Sequence, residues 1–312
     1  MEREQELEAI ESHIAAVART FGLGSLRSDP REIARGEMGR VFRAETSSGV
    51  WALKEYLTPP RPAGGAQLED RFMHAAREAG VVVPGVCRTS EGRPLVSVGG
   101  RLWKAFEWID AIGKPSAGQV GETVARLHAI GWHSDEPVAP WYTKRSAGGT
   151  WQDIATLSCG REWDVLLNRH LAELIEQDQV VASAEMPPAR ICHRDINEAN
   201  VVLDARGRVV LFDWDDCGPL APEREVGYVL VNPFICPDPA EFAAAYRDAG
   251  GMFEPTGLDV FATAIAVNNN YLAALVSRSV AGDARARAEL VSLLETPLRV
   301  SQMEAILNVV RS

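Results

Sequence analysis

CHRDINEANVVLDARGRVVLFDWDD, from Cys192 to Asp216, sets compact charge beside short apolar runs. Residues 201–203 and 209–212 read as two short strands, and DARGR between them supplies the turn of a hairpin. The charges then fall at strand ends. Asn200 stands at the entry of the first strand and Asp213 at the exit of the second. In an antiparallel pair the start of one strand lies beside the end of the other, so these two become neighbours, with Asp195 on the preceding loop. Oxygen donors grouped in this way suit a hard cation such as Mg2+, held together with phosphate oxygens. The order His193-Arg194-Asp195, then Asn five residues after the Asp, then a strand-terminal Asp is a phosphoryl-transfer pattern. In it the first Asp accepts or orients a substrate hydroxyl proton, and the Asn and second Asp hold metal on the nucleotide phosphates.

The N-terminal half supplies matching parts in the same order. Gly36 and Gly39 lie in a loop at 36–41 that runs into a strand at Val41, and glycine lets backbone approach phosphate closely. Ser47-Ser48-Gly49 reads as a turn and residues 50–55 as the next strand, which puts Lys54 where an ammonium pairs with phosphate. TPPRPAGG, from Thr58 to Gly65, is a loop by its Pro and Gly content. AQLEDRFMHAAREAG reads as a helix stopped at Gly80; on it Glu69, or alternatively Glu78, is placed to hold Lys54. VVVPGVCRT, PLVSVGG and RLWKAFEWI read as three short strands, and from about Asp110 the pattern turns helical. SAGQVGETVARLHAIGW starts at a Ser116 cap, with Val120, Val124 and Leu127 as its apolar stripe. REWDVLLNRHLAELIEQD, PAEFAAAYRDAG, GLDVFATAIAVNNNYLAALVSRSV and a last helix to Val310 follow.

With these parts in place, the chain resembles the aminoglycoside phosphotransferase (APH) family. The resemblance is carried by GEMGRVFRAETSSGVWALK, VARLHAIGW, CHRDINEANVVLDARGRVVLFDWDDCGP and EREVGYVL. It implies an α+β, two-lobe protein-kinase-like fold. The N-lobe, residues 1–109, would be an antiparallel sheet plus helix that binds nucleotide. The C-lobe, residues 110–312, would be mainly helical and carry the catalytic loop and substrate site. By the same resemblance Asp195 is the catalytic base, Asn200 and Asp213 hold Mg2+, and Lys54 meets the phosphates with Glu69 as its partner. Gly36, Gly39 and Val41 cover the phosphates, and Glu107, Trp108 and Ile109 form the linker whose backbone bonds adenine. The late helices of the family line the substrate site, which makes Asn268, Asn269 and Tyr271 candidates. Asp215, Asp216 and Glu225 either face the substrate or bond the loop backbone, whereas His128 is a packed or capping histidine and Arg194 braces the loop.

The activity so implied moves the γ-phosphate of ATP (or GTP) to a hydroxyl of an aminoglycoside-like or other amino-bearing antibiotic. Kinases of choline, homoserine or sugars are the alternative, and a nucleotide-binding regulator without catalysis is a further one. Asp213-Trp214-Asp215 in place of Asp-Phe-Gly, and the absence of an Ala-Pro-Glu segment after it, argue against a regulated protein kinase. The loop at 36–41 lacks the full G-x-G-x-x-G set.

Bulk properties agree. At 312 residues the chain is long for a single core, and 46% hydrophobic with 24% charged residues describes a soluble enzyme-sized protein. Residues 1–109 hold 15 acidic and 15 basic side chains, and residues 110–312 hold 28 and 17, so the second part carries the whole net charge of −11. That excludes the basic face of a nucleic-acid binder and suits a cationic acceptor. No apolar run approaches the ~20 residues that span a bilayer, so no membrane partner is expected. Leu7, Ile10, Ile14, Val17 and Phe21 mark one face of an N-terminal helix without a signal-peptide core. Five scattered cysteines without a CxxC pair read as reduced core or near-core thiols of a cytosolic protein.

Overall fold

The computed structural model describes residues 2–36, 38–58, 63–145 and 149–311, the side chains of 2–9, 63 and 64 excepted. Most of the Pro-rich loop expected at 58–65, Glu37 in the 36–41 loop and the Leu7 side chain lie outside the described residues. Backbone contacts divide the chain into two units. One comprises residues up to 77, 82–113 and 202–215; the other comprises 78–81, 114–201 and 216–312. The first reaches past Ile109 to Gly113 and takes in the 202–215 hairpin, which the sequence reading had placed with the second.

The first unit opens with α1 (Glu2–Thr20), followed by β1 (Arg31–Arg35), β2 (Gly39–Thr46), β3 (Gly49–Tyr56), α2 (Ala63–Glu78), β4 (Val96–Val98), β5 (Arg101–Glu107) and β6 (Ala111–Gly113). β1 to β5 form one antiparallel sheet in the order β1-β2-β3-β5-β4. Side chains alternate across a strand. Phe42, Ala44, Leu53, Trp103 and Ala105 bury against Ile10, Ile14, Val17 and Phe21 of α1. The residues between them point to the opposite face, and the register lines them up: Val41 opposite Lys54, and Lys54 opposite Lys104. VVVPGVCRT is not a strand. It makes isolated bridges at Val82 with Val210 and at Val86 with Phe106, because Pro84 has no amide hydrogen for a continuous ladder.

The second unit continues with α3 (Ala117–Ala129), α4 (Trp151–Ser158), α5 (Asp164–Ser183) and β7 (Arg190–Cys192). Ser116 caps α3 as expected: its Oγ accepts from Gln119 N–H, and Gln119 Oε1 accepts from Ser116 N–H. β8 (Val201–Asp204) and β9 (Val209–Leu211) form the expected hairpin and extend β6 into a three-stranded sheet, β6-β8-β9. Its turn is built by Asp204, whose Oδ1 accepts from the N–H groups of Arg206 and Arg208 at 2.9 Å each. β10 (Gly218–Leu220) then pairs with β7. α6 (Pro222–Leu230), α7 (Pro239–Asp248), α8 (Ala262–Val280), α9 (Ala284–Glu295) and α10 (Val300–Arg311) complete the chain. α4, α6 and α9, of 8, 9 and 12 residues, were not among the helices expected from the sequence.

Residues 258–280 are, contrary to expectation, long and apolar enough by composition to cross a membrane, but 72% of that apolar window is buried inside the protein. Leu272, Leu275 and Val276 of α8 pack with Trp151 and Ile154 of α4, Leu167 and Leu174 of α5, and Leu290 and Leu294 of α9. α8 is the core helix of its unit. Cys192, Cys217 and Cys236 are buried and Cys87 partly so, but Cys159 is exposed, which corrects the core reading there.

Candidate active site

Lys54, itself buried, is the centre of a charge cluster in the first unit. Its Nζ lies 2.7 Å from Asp213 Oδ1 and 2.8 Å from Asp215 Oδ2. Directly across the β3–β5 ladder, Lys104 Nζ lies 3.1 Å from Asp215 Oδ1 and forms an ion pair with Glu69 of α2. Tyr56 Oη donates to Asp215 Oδ1 at 2.7 Å. The expected Lys54–Glu69 pair is therefore corrected: the partner of Glu69 is Lys104. Two lysines opposite each other repel, and the acids between them are what make the arrangement tolerable. Lys104 went unnoticed in the sequence. Its signal was a lysine in the apolar strand RLWKAFE, on the face opposite to Trp103 and Ala105.

The electrostatics follow from burial and these partners. Burial alone would lower the Lys54 ammonium, but Asp213 and Asp215 outweigh it and hold the lysine above its ordinary value. Burial would raise the Asp215 carboxyl, yet Lys54 and Lys104 outweigh it and hold the acid well below the usual carboxylate range. Glu69 behaves in the opposite way: burial outweighs the pull of Lys104 and pushes it up to about 7. The Tyr56 phenol is held far up by burial, then by Asp215 and Glu69. Asp213 has a φ of 55°, in the left-handed region that a non-glycine residue rarely adopts.

The second unit holds the loop that carries Asp195, entered from β7. Arg194 also has a left-handed backbone, with a φ of 69°. Glu225, fully buried on α6, fixes that turn: its Oε1 accepts the Arg194 N–H, and its Oε2 lies 2.7 Å from His128 Nε2. His128 Nδ1 is in turn 2.8 Å from Tyr246 Oη. Of the two alternatives for Glu225, the loop backbone is the one observed, and its burial withdraws it from the acceptor candidates. Burial would raise its carboxyl, but the hydrogen bond and charge of His128 outweigh this and hold it below its ordinary value. Arg194 braces the loop as expected. Its Nε donates to Asp216 O at 2.6 Å, its Nη1 to Pro219 O at 3.4 Å, and the guanidinium lies 4.4 Å from the Tyr142 ring centre. Asp216 Oδ1 is 3.6 Å from Arg194 Nη2.

The Asp195 carboxylate is held from two sides. Oδ1 accepts from Asn197 Nδ2 at 2.8 Å and Oδ2 from Asn200 Nδ2 at 2.7 Å. Asn200 also donates to the Asp195 backbone oxygen at 2.9 Å, so both of its amide hydrogens are spent and Oδ1 is left to offer a lone pair. Asn200 Oδ1 and the Asp213 carboxylate are each hard oxygen donors, a chemistry that fits Mg2+. Asn197 was missed in the sequence, although its place between Asp195 and Asn200 marked it.

Other candidates divide. A Cβ on Gly39 would lie 2.6 Å from Glu55 O, so glycine there answers to crowding between β2 and β3. Gly36 is exposed and has open space, and its N–H donates to Gly39 O at 2.8 Å. In the linker segment the Glu107 N–H is spent on Gly85 O and the Trp108 N–H on Val50 O. The late polar side chains all have partners within their own unit. Asn269, buried, donates to Asp178 of α5 at 3.1 Å, and Asn268 donates to Asn269 Oδ1 at 3.2 Å. Asn270 bonds Trp141 O and Lys144 O, and Tyr271 Oη donates to Glu289 of α9 at 2.5 Å. Buried amides require partners, and here neighbouring elements provide them. Asp215, committed to two lysines and a tyrosine, is likewise not free for an acceptor.

An antiparallel sheet bearing a lysine row, followed by a mainly helical unit with an Asp–Asn loop, is the protein-kinase-like arrangement of a phosphoryl-transfer enzyme. The chain belongs to the phosphotransferase enzyme family, whose model matches residues 29–261. Among solved structures, spectinomycin phosphotransferase with ADP and spectinomycin is similar at a TM-score of 0.71 and 13% identity, over 98% of both chains. An amicoumacin kinase with AMP-PNP, Ca2+ and its acceptor is similar at 0.60 and 16%, over 98% of this chain and 94% of the other. A choline/ethanolamine kinase family protein from Mesorhizobium loti is similar at 0.58 and 18%, over 95% and 97%. None of the curated proteins matches the sequence. The expected family and fold are thereby borne out.

Proposed function

We propose that the protein transfers the γ-phosphate of ATP or GTP to a hydroxyl of a small, amino-bearing acceptor, an antibiotic first. The observation that carries the reading is the Asp195 carboxylate, aimed by Asn197 and Asn200 on a loop pinned at its backbone by Glu225. Asp195 orients the acceptor hydroxyl and takes up its proton. Lys54 exchanges a carboxylate partner for a phosphate oxygen. Adenine meets the Glu107 carbonyl and the Ile109 N–H, since the N–H groups of Glu107 and Trp108 are committed elsewhere. Asn200 and Asp213 would hold Mg2+, which when bound neutralises charge on the phosphates. The chain's own contribution is positioning and charge neutralisation.

An amino-bearing acceptor is supported by the acidic excess of residues 110–312. Around the loop, burial first and then the charges of Asp195, Glu198, Asp216 and Glu225 hold the Tyr228 phenol above its ordinary value. The similar structures include a spectinomycin phosphotransferase and an amicoumacin kinase. A metabolite kinase is the second reading, favoured by the choline/ethanolamine kinase family likeness.

The test is ATP consumption by the full chain with Mg2+ and a panel of spectinomycin, amicoumacin, hygromycin B, choline, ethanolamine and aminopropanol, with mass measurement of the product. One acceptor is expected to gain a phosphate, and Asp195→Ala to lower that turnover by about 10²–10⁴-fold. Turnover by the variant within about tenfold of the parent would remove Asp195 from its role.

A further inference from the structure

The two lysines of the sheet are joined by one carboxylate. Asp215 uses Oδ2 for Lys54 and Oδ1 for Lys104. Lys104 is 3% exposed, Glu69 6% and Lys54 9%, so both lysines and Glu69 lie out of water, while the Asp215 side chain that bridges them is 24% exposed. In such surroundings each charge fixes its neighbour, because an unpaired partner cannot fall back on solvent. Glu69 has no ion pair with Lys54 itself. By direct contact, the carboxylate of α2 is linked to Lys54 through Lys104 and Asp215.

We propose that Lys104 is a positioning residue for phosphoryl transfer. It neutralises Glu69 and holds Asp215, and Asp215 sets the Nζ of Lys54. In this arrangement α2 acts on the phosphate-binding lysine at second hand, through a lysine on the neighbouring strand. Asp215 thereby acquires a role as the bridge between the two ammonium groups, and Tyr56, donating to the same Oδ1 that Lys104 approaches, fixes its rotation. The inference rests on the reading of Lys54 as the lysine that meets the nucleotide phosphates.

Labelling by an acyl-phosphate derivative of ATP, which acylates a lysine lying at the phosphates, tests it on the full chain with Mg2+. The rate at Lys54 is read by peptide mass spectrometry beside the affinity for AMP-PNP. Lys104→Met is expected to slow labelling of Lys54 by about tenfold or more, since small displacements of a reacting group cost this much. AMP-PNP affinity should change far less. Asp215→Asn should slow labelling similarly, and the double variant no further, because both break one chain. The variant Lys104→Met with Glu69→Met removes the buried pair together and guards against misfolding of the single variant, since paired apolar replacement is often tolerated. In it labelling stays slow. Labelling of Lys54 at the parent rate in a folded Lys104→Met protein, or restored by adding Glu69→Met, would overturn the inference. Absence of label at Lys54 in the parent would instead overturn the assignment of Lys54 to the phosphates.

Discussion

Glu225→Ala tests how the catalytic loop is held. The carboxylate is fully buried, accepts the Arg194 N–H and lies 2.7 Å from His128 Nε2. Alanine leaves a buried amide and a buried imidazole without that partner. A hydrogen bond to a charged group contributes about 1.5–3 kcal/mol. Breaking a buried, hydrogen-bonded pair from one side costs about 3–5 kcal/mol, which we take as the expected loss. For a chain of this size that is a fall in melting temperature of about 10 °C. The same bond stabilises the left-handed turn at Arg194, a conformation costing about 1–3 kcal/mol, so Asp195 loses its aim and turnover falls by about 10²-fold. Glu225→Gln is the contrast. Its amide oxygen accepts from Arg194, and its NH2 faces His128 in the tautomer that donates from Nδ1 to Tyr246, so the loss is about 1 kcal/mol. A pH series adds a sign. Because the Glu225 carboxyl is held below its ordinary value of 4.5, its contribution is full above that pH and is lost as pH falls through the depressed value. The Gln variant lacks that acid-side loss. Calorimetric melts and phosphorylation rates of both variants check the chain of reasoning. An alanine variant that melts within about 2 °C of the parent, or a Gln variant as damaged as Ala, would refute it.

Glu69, pushed up to about 7 against an ordinary 4.5, carries the opposite sign. The folded state binds the extra proton, so this contribution to stability is present below about 4.5 and is lost as pH rises through about 7; at most about 3 kcal/mol is involved. Glu69→Gln is expected to remove that slope in denaturant titrations run from pH 4.5 to 8, and an unchanged slope would contradict the assignment. A Cβ on Gly227 of α6 would lie 2.1 Å from Val260 O, a backbone atom that cannot swing away. Gly227→Ala should therefore destabilise by about 1–3 kcal/mol, read as a lower urea midpoint at unchanged slope. Asn270→Ala strips two carbonyls, Trp141 O and Lys144 O, of a buried donor, and a loss of about 1–3 kcal/mol is expected in the same assay.

Much of the fold was legible in the sequence because it is written in local periods. The hairpin at 201–211, the α1 stripe and the capping box at Ser116 depend on spacing and turn chemistry within one element. The reading lost accuracy where two elements had to be compared. VVVPGV carries strand composition, but Pro84 cannot sustain a ladder. Residues 258–280 carry the apolarity of a membrane span, yet their neighbours in the unit cover most of it. The amides and the tyrosine of VNNNY read as candidate ligand contacts, and only the fold supplied the hydrogen-bond partners they have on α5, α9 and residues 140–144.

The site divides along the same line. Asp195, Asn200, Asp213 and Lys54 follow from the sequence, because residue type and offset fix each within its own loop or strand. Which acid pairs with which lysine was decided only by the tertiary structure. The family resemblance pairs Glu69 with Lys54 and assigns Lys104 no part. Strand register put the two lysines opposite each other, so the choice fell to packing of α2 and to burial, in which every charge must find a partner. Glu225 likewise stood in the sequence with two readings, facing the substrate or bonding the loop backbone. Folding placed it beneath the loop, where its two oxygens meet a strained backbone amide and a buried histidine.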